Sequence, residues 1–350
     1  MTYTAAHTYS TGINIQWVIM ARSIIDRSDD KLHFAGHETF PLRYGWLKKA
    51  YDAVALEEKC GEIPGSIFNN EQSIATFGVG RNMVMSMRHW AVATNVLVSE
   101  YVPGERTSRI KTGPIGNLLF GEKLDSYLEH PGSLWLLHWM LASKPGRATA
   151  WHWAFNEFHE PNFDRELLRR RLQKRCEELQ EAGRLGKGRG VSSGTIKRDA
   201  ECLIRTYYAS AKGSRRAPED SIECPLAELG LIQTAGVGEM FRFHRGPKAT
   251  LPDAVFLFAL LDFWESFYPD RRSFSVEFLT FERGSPGQVF LLDETAVSDR
   301  LARLEELSSG RVRWDESSGM RQLYMHDAKE FDRWGGLREM FHRDMKGGDA

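Results

Sequence analysis

Residues 71–111 read EQSIATFGVGRNMVMSMRHWAVATNVLVSEYVPGERTSRIK, and this stretch decides the fold. A short apolar-periodic segment (Ile74, Ala75, Phe77) stops at Gly78-Val79-Gly80. A second helical pattern starts at Arg81 and carries Val84, Met87 and Ala91 on one face. Helix, glycine-containing turn and helix is the order of a helix-turn-helix. Val96 to Val102 and Thr107 to Lys111 then flank Pro103-Gly104-Glu105, the pattern of a β-hairpin. A helix pair followed by a basic hairpin predicts a winged helix-turn-helix. Its usual partner is double-stranded DNA, with the second helix in the major groove and the wing on the backbone.

The helical period names the contacts. With Val84, Met87 and Ala91 inward, Arg81, Asn82, Met85, Ser86 and His89 project outward. Arg81 and Asn82 open the second helix, where a recognition helix meets bases or phosphates. Capping and solvation are the plainer reading of the same two residues. Arg106, Arg109 and Lys111 are the wing's candidates for phosphate.

The same order recurs twice. Residues 1–32 read as a flexible leader, and residues 33–121 hold the first unit behind a helix expected over Leu42 to Ala55. Residues 122–249 open with the Trp-rich helical patterns SLWLLHWMLA and TAWHWAFNEF. They continue into SSGTIKRDAECLIRTYYAS, with Ser192 or Ser193 as cap and Ile196, Ala200, Leu203 and Tyr207 inward. LIQTAGVGEMFRFHRG then reads as a hairpin. Lys197 and Arg198 fall in the first turn of that helix and are candidate DNA contacts. Residues 250–350 form the third unit. There Thr295 to Leu307 repeats the helical pattern with Arg300 and Arg303 on the exposed side, and RVRWDESSGMRQLYMHD closes it as a hairpin. The expected fold is mainly α with small β-hairpins, an α+β chain of tandem winged-helix-like units around a helical middle. No residue-level repeat accompanies this architecture.

The net charge of -1 conceals a division. Residues 165–216 contain 15 Lys or Arg against 6 Asp or Glu, so the rest of the chain is acidic. A basic zone of this size attracts polyanions by counterion release. The other reading is a solvated helix face, since Glu166 with Arg170 and Lys174 with Glu178 make opposite pairs at helical spacing. The following GRLGKGRG has no acid, which favours phosphate contacts by Lys187 and Arg189. With 350 residues and 42% hydrophobic content, the chain is long enough for two or three domains. It has no membrane-length apolar run. Four scattered cysteines without a C-x-x-C pair argue against a disulfide framework or zinc site and fit a reducing cytoplasm.

A second constellation precedes the first unit. Residues 33–43, HFAGHETFPLR, bring His33, His37, Glu38 and Arg43 together, with Thr39 a possible cap and Pro41 in a first helical turn. Position 41 is Pro, so this is not H-E-x-x-H. A His-Glu pair beside a phosphate could hold a divalent ion or position water. Magnesium prefers oxygen, which makes Glu38 the metal candidate, His37 the proton-transfer candidate and Arg43 the fixed charge on the phosphate. Buried hydrogen bonds that merely hold the segment in place are the alternative. Walker A and G-x-S-x-G patterns are absent, and no acidic nuclease core stands out.

FAGHETFPLRYGWLKKAYDAV, FGVGRNMVMSMRHWA, TGPIGNLLFGEKLDSYLEHPGSLWLLHWMLAS, CPLAELGLI and FRFHRGPKATLPDAVFLFALLDFW together resemble a domain-of-unknown-function family. Its members occur beside DNA phosphorothioation genes and include the nicking component of the Ssp system. The resemblance runs from Phe34 into the third unit. It implies DNA handling around the replacement of a phosphate oxygen by sulfur. It also implies partners: a cysteine desulfurase, an ATP-using sulfur-transfer enzyme and an ATPase. Two roles follow. One is a magnesium-dependent nicking endonuclease with His37, Glu38 and Arg43 as its catalytic cluster. The other is a non-enzymatic DNA-binding adaptor. The resemblance favours the first, and the missing nuclease motif favours the second.

Overall fold

The computed structural model describes residues 23–27, 30–69, 71–104, 108–186, 190–208, 224–236, 238–317, 320–325 and 332–347. About half of the chain is helical, with small antiparallel sheets. The chain opens with α1 (Ile24–Arg27), whose Ile24 and Ile25 are buried. This turn of helix therefore belongs to the packed body, although it falls within the expected leader. Next comes α2 (Trp46–Cys60), which begins later than the sequence suggests. The reason is backbone: Ala35, Gly36, Glu38, Thr39 and Gly45 all have positive φ, so residues 35–45 cannot continue a right-handed helix. Thr39 is accordingly not the helix cap.

Helices α3 (Ser73–Phe77) and α4 (Arg81–Ala93) follow. Gly78 ends α3 at φ 67, a conformation that suits glycine, and Gly80 opens α4 in extended geometry. Val84, Met87, Trp90 and Ala91 of α4 are buried, as the period requires. Strands β1 (Leu97–Glu100) and β2 (Arg109–Thr112) pair antiparallel, Leu97 opposite Thr112 and Glu100 opposite Arg109. Two acids near the end of α2 hold the 65–67 turn and the base of this hairpin, one each. Glu57 accepts from the Gly65 and Ile67 amides at 2.6 and 2.7 Å. Glu58 accepts from the Thr112 amide and hydroxyl, both at 2.9 Å.

A short α5 (Pro114–Gly116) and a π turn at Asn117–Gly121 lead into the middle of the molecule. There α6 (Pro131–Ala142) and α7 (Thr149–Asn156) are buried throughout except at Pro131, which explains their unbroken runs of Leu, Trp and Ala. Helices α8 (Arg165–Glu181) and α9 (Ser193–Tyr207) pack on one another. Their caps are Asp164 and Ser192, which accept from Leu167 and Thr195 amides at 2.7 and 3.1 Å and stabilise each start by about 1 kcal/mol. Strands β3 (Ile232–Thr234) and β4 (Phe241–Phe243) form the second hairpin.

The third region contains α10 (Asp253–Phe267), β5 (Ser273–Ser275), α11 (Val276–Phe281), α12 (Pro286–Val289) and α13 (Glu294–Leu307). Its hairpin, β6 (Val312–Ser317) and β7 (Met320–Met325), gains β5 as an edge, giving the order β5-β7-β6. Finally α14 (Arg333–Gly347) packs on α10 and reaches back to the middle through an Arg338–Glu122 ion pair. The buried apolar side chains form one connected cluster from Ile25 to Phe341. That cluster extends across both position 121 and position 249. No helix among the described residues is long and apolar enough to cross a membrane.

Two histidines in this core set its response to acid. His138 donates from Nε2 to the Val289 carbonyl at 2.9 Å and accepts from the Tyr207 hydroxyl at 2.7 Å. His152 donates from Nδ1 to the Ala142 carbonyl at 2.9 Å. Burial pushes both pKa values down to about 4. In the unfolded chain each imidazole takes up a proton below about pH 6.5, while the folded one stays neutral until about 4. Stability present above pH 6.5 is therefore lost as pH falls through that window, by roughly 2–3 kcal/mol per pH unit for the pair. The urea midpoint should fall sharply between pH 6.5 and pH 4.5. Equal midpoints at those two pH values would contradict the assignment.

Candidate functional site

The turn at residues 33–40 lies against α4, and a buried carboxylate holds it there. Asp199 of α9, 1% exposed, accepts from the Ala35 amide at 3.0 Å and from His37 Nε2 at 2.8 Å. His37 Nδ1 in turn accepts from the Thr39 amide at 3.2 Å, and Arg205 donates to the Thr39 carbonyl at 3.1 Å. These contacts sustain φ values of 61 at Ala35, 47 at Glu38 and 72 at Thr39, each costly for a residue with a side chain. Gly36 has no such choice. Its φ is 92, and an added Cβ would stand 2.6 Å from His89 Nδ1. Trp90 fixes the far side by donating to the Phe40 carbonyl at 3.0 Å.

Between this turn, α4 and the β1–β2 hairpin lies a pocket of about 360 Å³. Met85, Arg88, His89 and Val92 supply its α4 wall, the i, i+3, i+4, i+7 stripe of one helix face. Arg81 sits one turn before Met85 on that stripe. His33, Glu38 and Arg147 complete the polar lining. Burial lowers the pKa of the Arg88 guanidinium and, more strongly, that of His89, which is pushed down to about 3 with His37, His33 and Arg88 adding repulsion. Arg88 Nε and His89 Nε2 are shielded from solvent without a hydrogen-bond partner. A larger cavity of about 590 Å³ lies beside α8, but its charges cancel. There Arg175 bridges Asp26 and Glu157 at 2.8 Å each, and Arg171 pairs with Glu160. In the smaller pocket Arg88 has no carboxylate among the described residues acting on it, whereas Asp262 and Asp30 act on Arg147.

The predicted residues distribute as follows. Arg81 and Asn82 are exposed at the start of α4, which no side chain caps. Arg109 and Lys111 lie on β2, with Lys111 2.5 Å from Glu100. Lys197 and Arg198 are exposed on α9. Arg106, Lys187 and Arg189 lie outside the described residues. Ser86 is a correction: it is 0% exposed, with its hydroxyl toward the Phe40 carbonyl, because the 33–40 turn covers that side of α4. His89 is half-buried and lines the pocket rather than an outer face. Arg300 is a second correction: it is 7% exposed and donates to Asp253, the Leu251 carbonyl and the Lys248 carbonyl.

The expected catalytic cluster does not converge. His37 is 1% exposed, and both its ring nitrogens are engaged, so it is not placed to move a proton to or from substrate. Arg43 packs over the Phe40 and Trp46 rings at 5.7 and 5.5 Å and does not line the pocket. Glu38 alone reaches it. Sequence reasoning missed Asp199, Arg88 and Arg147. Arg88 was within reach, being two turns after Arg81 on the same stripe. Nothing local connects Asp199 or Arg147 to the turn. Along α8, Arg169, Arg171 and Arg175 all have carboxylate partners, so much of that helix is an ion-paired surface.

Comparison with known proteins places this arrangement. Residues 34–341 match the family described as protein of unknown function DUF4007. No curated protein matches the chain. Among solved structures, the crystal structure of magnesium ion-bound SspB is similar at a TM-score of 0.75 and 27% identity, over 92% of this chain and 91% of that one. A second SspB crystal structure gives 0.74 and 27%, over 91% of each chain. Magnesium in general takes oxygen ligands, commonly one or two carboxylates with waters and phosphates. Here Glu38 is the sole carboxylate lining the pocket, among His33, Arg88, His89 and Arg147. Among the described residues no three His, Cys, Asp or Glu side chains are grouped to hold a metal. The lining therefore does not fit a resident magnesium ion.

Asp199→Ala removes the acceptor for the Ala35 amide and His37 Nε2 at once. It should destabilise the protein by about 3 kcal/mol and speed hydrogen exchange across residues 35–40. Retention of wild-type stability and protection would show that the turn holds itself.

Proposed function

The chain belongs to the DUF4007 family, and from that premise we propose that it handles double-stranded DNA in a phosphorothioation system, where it opens one strand. The observation that carries this is the likeness to SspB over nine-tenths of both chains. The surface supports it. Helix α3, the Gly78–Gly80 turn, α4 and the β1–β2 hairpin follow one another in the order of a winged helix-turn-helix. Arg81 and Asn82 stand at the uncapped start of α4, where backbone N–H groups and the helix dipole favour phosphate. Arg109 and Lys111 present the hairpin to the backbone. Lys197 and Arg198 extend the basic surface along α9. The ion pairs of Lys111 with Glu100 and Lys197 with Glu201 are exposed, so they are weak enough to be exchanged for phosphate.

In this reading Glu38 accepts the proton of the water whose oxygen bonds to phosphorus, the opposite P–O bond breaks, and the departing sugar oxygen takes up a proton from solvent. The sulfur-transfer partners named by the resemblance act on the same DNA. A non-catalytic adaptor is the second reading. The observation in its favour is the single carboxylate of the pocket.

Supercoiled plasmid incubated with the protein, with and without magnesium, separates the two. Conversion to open circle that Glu38→Gln abolishes at unchanged DNA affinity supports nicking. Binding without open circle supports the adaptor. For either role Arg81→Ala should weaken duplex binding by about 1–3 kcal/mol and alter sequence preference. Unchanged affinity of that variant at two salt concentrations would exclude the α4 surface.

A further inference from the structure

We infer that the pocket between the 33–38 turn and α4 binds a phosphate group, which acts as the missing counter-ion of Arg88. The inference rests on the DNA reading only for the source of the phosphate. Its evidence is electrostatic and geometric. Arg88 is half-buried, yet no ion pair or hydrogen bond links it to a carboxylate among the described residues. Arg147, on the same pocket, donates to the Met140 carbonyl and sulfur at 3.2 and 2.7 Å and has the carboxylates of Asp262 and Asp30 acting on its charge, so Arg88 is the cation left without one. Arginines are seldom withdrawn from water without an anion, because an uncompensated buried charge is strongly destabilising. Arg88 Nε and His89 Nε2 are shielded and unpartnered, and both residues line the same pocket. Unsatisfied groups clustered in this way call for an occupant.

The occupant's class follows from the lining. Arg88, Arg147 and the imidazoles of His33 and His89 line about 360 Å³, with Glu38 as the one carboxylate in the lining. That is ample for a tetrahedral oxyanion with part of a sugar attached, and Arg88 Nε and His89 Nε2 are the groups left for it to satisfy. Guanidinium matches phosphate through paired N–H donors. Placement agrees with chemistry. Arg81 and Arg88 are seven residues apart on one α4 face, roughly 10 Å along the axis. A strand whose backbone meets the start of α4 is thus within reach of the pocket. The strained turn has a function in this picture: its positive-φ residues bring Glu38 to the rim and leave Gly36 as the only residue small enough beside His89. Burial first, and then the fields of His37, His33 and Arg88, hold the His89 pKa low. An anion beside it would act in the opposite direction.

The test uses the full chain and inorganic phosphate, titrated by calorimetry and thermal shift against chloride at equal ionic strength. Saturable stabilisation by phosphate alone is expected. Arg88→Met should bind phosphate at least tenfold more weakly without losing melting temperature, because it removes an unpaired buried charge. Arg88→Lys should fall between the two, and it is the reference if the Met variant does not fold. Oligonucleotides ending in 5′-phosphate or 5′-hydroxyl then separate the sources: preference for the phosphorylated end assigns the pocket to a DNA terminus, and no preference assigns it to a backbone or free phosphate. Phosphate binding by a protein without DNA affinity would overturn the DNA reading and leave the pocket standing. No stabilisation beyond that of chloride, or full phosphate binding by Arg88→Met, overturns the inference.

Discussion

The contact of Asp199 with His37 and the Ala35 amide is the constraint on which the site depends. A buried carboxylate needs hydrogen-bond donors, and a backbone with four positive-φ residues in five needs an external hold. Each supplies what the other lacks. The pairing also crosses the chain, joining the turn before α2 to α9 more than 160 residues later. It thereby sets the distance between the turn and α4, and with it the width of the pocket.

Charge in this protein falls into three kinds of use. On α8 and around the larger cavity, arginines and carboxylates neutralise one another. In the interior, Lys248 donates to three backbone carbonyls and Arg300 to two more carbonyls and Asp253, so these cations tie loops together. Burial lowers the pKa of Lys248 to about 8, which marks the cost of keeping it there. At the pocket, Arg88 is left with no carboxylate among the described residues acting on it. The first two uses are structural. The third is the one that invites a ligand.

Where the sequence has a strong period, the reading and the structure agree. Val84, Met87 and Ala91 face inward on α4, as do Ile196, Ala200, Leu203 and Tyr207 on α9 and Val297, Leu301 and Leu304 on α13. All three hairpins occur near their expected places. The failures have a common cause. A helical wheel shows which face is polar, but not what another segment lays over it. Ser86 is covered by the 33–40 turn and Arg300 by the 248–253 loop, so both exchange solvent for partners. His37 and Glu38 are adjacent in sequence yet diverge, because positive φ at Glu38 turns its side chain away from the one before it. The partners that decide their roles, Asp199 and Arg88, lie far off in the chain and carry no local signal.

The shared core has a consequence for descent. Three helix-and-hairpin arrangements look like modules, yet their buried side chains interdigitate in one cluster from Ile25 to Phe341. A module that shares its interior cannot be exchanged between lineages by recombination, because the donor's half of each packing contact would be left behind. Variation is channelled to parts that contribute nothing to that interior. The hairpin's base is held by Glu58 at Thr112, while its turn at Pro103 and Gly104 projects beyond the paired strands. Change is therefore least constrained at the hairpin end and the exposed helix starts, within an architecture that holds together as one unit.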